Sequence, residues 1–284
     1  MRRRELLVNK TSGGIGGSIT DVLFVKKDTL EKRIFSKSEW PSKSSWTPIG
    51  IVVVPSSHDR YDDDGTCGIM SLGGINKSGN IQTNGADDSS TMAWANNYID
   101  TSLTNYTTIN GSDSYGYVHF QTSDGSTSCS FYYRTPHIQY PYTELNGTVV
   151  QPSYTAGSLS DYDGIGNTNK LNSSEYLAAY ACKQVSTLGT SKGDWYLPSA
   201  GELAYLPSIR YEVNKTITSL CSNYGDVGSL LDTSNYYWSS TEYNNNIVWY
   251  VYLDNGYVYL SNKGNGNRVR PFLRFNPTAG TIVR

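Results

Sequence analysis

Two runs of alternating side chains meet at Asn255-Gly256. Both central residues of a type I′ turn need positive φ, and Asn-Gly is the dipeptide that supplies it most readily. A two-residue loop there sets the pairing of residues 247–261. Asp254 faces Tyr257, Leu253 faces Val258, Tyr252 faces Tyr259, Val251 faces Leu260, and Tyr250 faces Ser261. Strand side chains alternate between faces. Trp249, Val251, Leu253, Val258 and Leu260 therefore share one face, which is apolar. Tyr250, Tyr252, Asp254, Tyr257, Tyr259 and Ser261 share the other. Turn chemistry and alternation agree on this ribbon, and any fold containing it must bury the first face.

The second face sets the functional question. A solvated sheet face ordinarily carries Lys, Glu and Thr; this one carries four tyrosines. Asn-rich loops flank it, Asn244-Asn245-Asn246 before and Asn262, Asn265 and Asn267 after. The whole chain leans the same way. Charged residues make up 17% of it, against about 25% in an average domain. The missing share sits in Tyr, Asn, Ser, Thr and Gly, with 24 Tyr and 27 Gly. That is too aromatic for a disordered chain and suits a β-rich protein with many turns. Tyr offers contact area at low entropic cost, and Ser, Gly and Asn offer adaptable hydrogen bonds, as in an antibody paratope. The alternative is that the tyrosines pack as sandwich core against residues 75–160, where every buried hydroxyl would need a partner.

Charge and hydropathy exclude several classes. A net charge of −2 and a pI near 5.9 leave no basic footprint for nucleic acid. The longest aliphatic run, Ile51-Val52-Val53-Val54, ends at Pro55, far short of the ~20 residues that span a bilayer, so no membrane insertion is expected. The start, Arg2-Arg3-Arg4-Glu5-Leu6-Leu7-Val8, has only a short apolar run, where a signal peptide uses about 7–15 residues. The expectation is a trimmed export segment or another way out of the cell, such as inside a phage particle.

Along the chain, residues 1–44 read as a leader with a Gly-rich stretch at 11–18 and a short β segment at 21–25. Trp40-Pro41 and Trp46-Thr47-Pro48 mark a boundary, because proline removes a donor and pushes its predecessor out of helix. Residues 45–284 read as one domain with a loop-rich insert at about 75–160, where short strands are expected at 117–120 and 130–133. A buried strand from Ile49 and a second at 68–72 predict a hairpin. One helix is expected from Asn172, capping the amide of Glu175, with Tyr176, Leu177, Tyr180, Ala181 and Val185 as its apolar stripe. Another starts at the capping box Ser199-x-x-Glu202 and continues through Leu203, Leu206, Val213, Ile217 and Leu220, with a kink or break at Pro207.

The remaining chemistry-bearing residues form no strong motif. Cys67, Cys129, Cys182 and Cys221 match no metal or redox spacing; buried thiols or one disulfide fit them. His58, His119 and His137 share no ligand spacing. Asp161-Tyr162-Asp163-Gly164-Ile165-Gly166-Asn167 lacks the full ligand set of a calcium loop, and Asp62-Asp63-Asp64-Gly65 is weaker still; a Gly/Asn-rich turn and a solvated loop are the plainer readings. Neither metal nor cofactor is expected. Arg268, Arg270 and Arg274 alternate on one strand face, paired with acids such as Glu242 or holding an anion.

One family joins these pieces. Its order is Gly50-Ile51-Val52-Val53-Val54, Gly68-Ile69-Met70-Ser71-Leu72, a helix with Ala178, Ala179 and Cys182, then Asp194-Trp195-Tyr196-Leu197-Pro198-Ser199-Ala200-Gly201-Glu202-Leu203. Tyr237-Trp238-Ser239-Ser240-Thr241-Glu242, Trp249 and Arg268-Val269-Arg270-Pro271 complete it. Over about residues 48–275, with 75–160 poorly matched, the chain resembles bacterial and phage C-type-lectin-fold domains, specifically the variable proteins of diversity-generating retroelements. The resemblance implies an α+β C-type lectin fold, with small antiparallel sheets, two main helices and long irregular loops. It also implies that adenine-directed mutagenesis rewrites a variable region at about 243–267. Asn codons altered at their adenines reach every residue type except Lys, Glu, Gln, Met and Trp, and in 243–267 only Trp249 and Lys263 fall outside that set.

The ligand-binding residues so implied are Tyr243, Asn244, Asn245, Asn246, Tyr250, Tyr252, Asp254, Asn255, Tyr257, Tyr259, Ser261, Asn262, Asn265 and Asn267. Trp238, Trp249, Val251, Leu253, Val258 and Leu260 are the implied scaffold, with Val269, Leu273 and Phe275 beside them. No Glu-Pro-Asn or Trp-Asn-Asp triplet occurs, so calcium-dependent sugar binding is not implied. Formylglycine-generating enzymes share the fold, but no cysteine follows Cys221, so no catalytic residues are assigned. The expectation is a non-enzymatic adhesin for a protein or glycan receptor on a cell surface, compatible with a homo-oligomer. Its place would be a phage tail, or alternatively a bacterial surface or pilus.

Overall fold

The computed structural model describes residues 17–56, 65–96, 98–107, 157–204, 206–254 and 256–284, and the backbone of four short strands between 117 and 150. Asn255, His58, His137 and residues 62–64 lie outside the described residues, as do the side chains of His119 and Cys129.

In chain order the strands are β1 (Val22–Lys26), β2 (Lys32–Phe35), β3 (Trp46–Val54), β4 (Cys67–Ser71), β5 (Tyr117–Gln121), β6 (Ser128–Tyr132), β7 (Tyr142–Thr143), β8 (Val149–Val150), β9 (Tyr236–Glu242), β10 (Ile247–Tyr252), β11 (Tyr257–Asn262), β12 (Phe272–Asn276) and β13 (Thr281–Val283). The helices are α1 (Gly164–Lys170), α2 (Leu177–Gln184), α3 (Ala200–Leu203) and α4 (Leu206–Tyr224). Small antiparallel sheets, two longer helices and long loops make this an α+β protein with the expected C-type lectin architecture.

The main sheet has six strands in the order β13-β12-β4-β3-β1-β2. The β-branched run in β3 is buried on both sides, because the sheet separates two cores. Val22, Phe24, Ile51, Val53, Met70 and Phe272 face one of them, which α4 covers with Leu206, Val213, Ile217 and Leu220. Leu23, Val25, Val52, Ile69, Leu273 and Phe275 face the other, covered by α2. β3 and β4 form the expected antiparallel pair. β1, from the stretch set apart as a leader, pairs with β3 in the same sheet. At Gly50 a side chain would collide with Ile69 Cγ2 at 2.4 Å and Met70 O at 2.8 Å, so the strands' approach requires glycine there. β5 pairs with β6 and β7 with β8 within the insert.

The helices follow local chemistry with one revision. The Glu202 carboxylate accepts from the Ser199 amide at 2.8 Å and from the Tyr196 hydroxyl at 2.9 Å. α3 then stops, and α4 restarts with Pro207 in its first turn, where a missing N–H does no harm. The helix expected from Asn172 begins instead at Leu177, and Ser173 Oγ, not Asn172, meets the Glu175 amide. Its buried face is Ala178, Ala179, Ala181 and Cys182, followed by Val185, while Tyr180 is exposed. Small residues face inward because the helix lies close to Trp94, whose carbonyl accepts from the Ala178 amide at 3.3 Å. Among the described residues no helix is long and apolar enough to cross a membrane.

Candidate binding face

The hairpin forms one half of a second sheet, ordered β11-β10-β9. Its pairs are Tyr252↔Tyr257, Val251↔Val258, Tyr250↔Tyr259, Trp249↔Leu260 and Val248↔Ser261. This register is two residues away from the expected one. Pairing ends at Tyr252 because Leu253 is fully buried and its amide turns to Asn235 O, 3.2 Å away. The loop therefore takes four residues and closes with the Gly256 amide on Tyr252 O at 3.0 Å. Gly256 has φ 74°, the left-handed geometry that glycine adopts without strain. An even shift leaves every side chain on its expected face.

The apolar face packs into the α4-side core. Trp249, Val251, Leu253 and Val258 are buried there, and Leu260 is partly buried beside them. Trp238, Val269, Leu273 and Phe275 pack elsewhere, in the core under α2. On β9, Trp238 lies on the tyrosine side, opposite Tyr250. That side is thus covered at one end, by Trp238 and Val248, and open at the other.

At the open end five phenol rings form one continuous cluster. Tyr236 lies opposite Tyr252 on β9, and its ring centroid sits 4.9 Å from Tyr250 and 4.7 Å from Tyr252. Tyr259 continues the chain, 6.5 Å from Tyr250 and 5.2 Å from Tyr257. Tyr236 and Tyr259 are 42% and 43% exposed, while Tyr250, Tyr252 and Tyr257 are half-buried. Partial burial, with Tyr236 and Tyr259 nearby, pushes the Tyr250 phenol up to about 12. Burial also raises Tyr252, reinforced by Asp254. Tyr250 and Tyr252 therefore stay neutral at ordinary pH. Tyr236 was absent from the expected site; its signal is the β9–β10 pairing, which joins residues that no local rule connects.

The asparagines gather at the other end of the hairpin. The Asn244 carboxamide oxygen accepts from the amides of Asn246 and Ile247 at 2.8 and 2.9 Å, so it builds the turn. Asn245, Asn246, Asn262 and Asn265 are exposed, and Asn265 donates to Ser261 Oγ at 2.9 Å. Two expected residues leave the face. Tyr243 stacks edgewise on Trp249 at 5.9 Å, on the apolar side. Asn267 is 7% exposed because its backbone pairs with Met92.

A strap, residues 92–96 and 98–106, is fastened to the sheet by side-chain donors from both of its faces. Trp238 Nε1 bonds Met92 O at 2.8 Å, and Trp249 Nε1 bonds Tyr106 O at 2.7 Å. Lys263 Nζ bonds Ile99 O at 2.9 Å, and Trp94 Nε1 returns to Ser239 O at 2.9 Å. Lys263, with no exposed surface, also pairs with the buried Glu242 at 2.6 Å and sits 4.9 Å above the Trp94 ring. Burial raises Glu242 and lowers Lys263, and each opposes the other's shift.

A family model described as the Lcl C-terminal domain matches residues 86–272, which is well over half of the chain. The chain belongs to the Lcl C-terminal domain family. No curated protein matches it. Among solved structures it is similar to a fimbrial protein from Bacteroides ovatus, at 17% identity and a TM-score of 0.46. That likeness covers 90% of this chain and 48% of the fimbrial chain, so the chain spans about half of that protein's length.

The Lcl C-terminal match takes in the strap and the whole tyrosine sheet and leaves β1 to β4 outside. The arginines are structural. Arg268 pairs with Asp232 at 2.6 Å, Arg270 lies 3.5 Å from the buried Asp88, and Arg274 lies 3.6 Å from Glu202. None uses Glu242, which Lys263 occupies. The Asp161 loop is likewise engaged by protein donors. Asp161 accepts from Thr241 Oγ1 at 2.7 Å, Asn167 Nδ2 at 2.8 Å and the Asp163 amide at 3.0 Å. Asp163 caps α1 through the Gly166 amide. Cys67 and Cys182 are buried free thiols, and Cys221 is a half-buried one.

Proposed function

We propose that the tyrosine end of the β9-β10-β11 sheet is a ligand-binding face and that the protein is a non-enzymatic adhesin. The observation that carries this reading is the ring cluster. Five phenols touch in series across three strands, with Tyr236 and Tyr259 the most open. Beneath them lies an apolar layer, so the exposed Tyr236 and Tyr259 can contact a partner without supporting the fold. Tyr259→Ala is expected to weaken binding to the receptor-bearing surface by about 1–3 kcal/mol, as at an interface hot spot, with the melting temperature nearly unchanged. Tyr252→Ala should behave alike. A large drop in melting temperature for Tyr259→Ala would make the face part of the core and end the proposal.

The finer reading is that the face is diversified by a retroelement and displayed on a phage tail, the alternative carrier being a bacterial surface or pilus. Support comes from Trp249 and Lys263. They are the two residues of 243–267 that adenine changes in Asn codons cannot reach, and both are buried donors to the strap. The neighbouring DNA should hold a near-copy of the codons for 243–267, differing at adenines, beside a reverse transcriptase gene. A near-copy differing equally at other bases would remove the diversification and leave the binding face standing.

A further inference from the structure

We infer that the tyrosine face receives a cationic side chain, with arginine favoured over lysine, presented by a protein partner. The inference rests on the binding role proposed for that face and names the chemistry of what it takes. Charge is the first ground. Residues 243–267 contain two charged side chains, Asp254 and Lys263. Lys263 is buried and spent on Glu242 and Ile99 O. Asp254 is exposed, on the loop that closes the tyrosine hairpin, and has no partner among the described residues. The neighbouring cation, Arg268, is committed to Asp232 and to Asp88 O, each at 2.6 Å, so it does not neutralise Asp254.

Ring geometry is the second ground. Tyr236 and Tyr259 combine wide exposure with edge-on or tilted neighbours. Each keeps part of its ring open to solvent, and where a face is open it presents the negative pole of the aromatic quadrupole. A cation above such a face is attracted by the ring and by the Asp254 carboxylate, most strongly at low ionic strength. A planar guanidinium also stacks on a phenol, which an ammonium does not. An anionic partner would meet Asp254 with no compensating cation on the face among the described residues.

Fluorescein-labelled hexa-arginine, titrated into the full chain at low ionic strength and followed by anisotropy, tests this. Saturable binding is expected, weaker for hexa-lysine and absent for hexa-glutamate. Asp254→Asn should weaken it by about two- to five-fold, and Tyr236→Ala and Tyr259→Ala by at least as much. Binding that ignores all three substitutions would be general attraction to an acidic chain and would overturn the inference. So would failure of hexa-arginine to bind, or maltoheptaose binding the same face instead. If receptor adhesion still depends on Tyr259 in those cases, only the cation falls; if adhesion ignores Tyr259, the binding face falls with it.

Discussion

Trp249→Ala is expected to cost about 3–5 kcal/mol of folding free energy, as loss of a fully buried aromatic does. The indole is 2% exposed and packs with Val251, Leu253 and Val258 against the α4-side core. Its removal opens a cavity that those neighbours, fixed by strand pairing on both sides of β10, cannot close. It also strips Tyr106 O of the indole N–H 2.7 Å away, loosening one end of the strap. Trp249→Phe separates the two contributions. It keeps most of the packing and loses the hydrogen bond, for about 1–3 kcal/mol. Urea denaturation of the three proteins, compared at equal m-value, measures both. A loss below about 1 kcal/mol for the alanine variant would mean that the hairpin is not anchored through this residue.

What the sequence disclosed about this hairpin was its faces, and what it hid was its pairing. Alternation is a local property, fixed by the pleat, so the apolar set and the tyrosine set could be assigned from residues 247–261 alone. Register depends on the loop, and the loop depends on where Leu253 goes. Its burial and its bond to Asn235 O are tertiary facts that override the preference of Asn-Gly for a two-residue turn. Because the resulting shift is even, the assignment of faces survived it.

The same division holds across the molecule. The capping box at Ser199, the break before Pro207 and the α4 stripe use short-range rules and could be read directly. Tyr236 joins the ring cluster only because β9 pairs with β10. Tyr243 and Asn267 leave the face because Trp249 and Met92 claim them. The partners of Arg268, Arg270 and Arg274 come from segments about 36 to 182 residues distant in sequence, beyond any periodicity argument. The strap was the least legible element. It is held largely through backbone carbonyls, which every residue has, so apart from Trp94 and Thr101 its own sequence carries little mark of the donors that seize it.

Those donors make the strap testable at Lys263. Lys263→Met is expected to destabilise the fold by about 3–5 kcal/mol, the cost of removing one member of a buried ion pair. Methionine matches the lysine stem in length, so packing over Trp94 survives and the loss is electrostatic. Glu242 would keep the Thr101 hydroxyl, 2.9 Å away, and would be left as a buried charge without a counter-ion. Glu242 already has its carboxyl raised by burial, with Lys263 as the main opposing influence, so losing Lys263 should drive it to the protonated form. The single variant should therefore recover part of its stability as pH falls. Native protonation above the unfolded pKa favours the folded state at lower pH, and that gain disappears as pH rises through the folded value. The double variant Lys263→Met, Glu242→Leu should regain most of the loss at neutral pH, since buried ion pairs are commonly replaceable by apolar groups of similar size. Denaturant midpoints at pH 5 and pH 8 for the single and double variants distinguish these outcomes. If Lys263→Met is as stable as the parent at pH 8, the pair is not what fastens the strap, and the indole donors of Trp94, Trp238 and Trp249 must hold it instead.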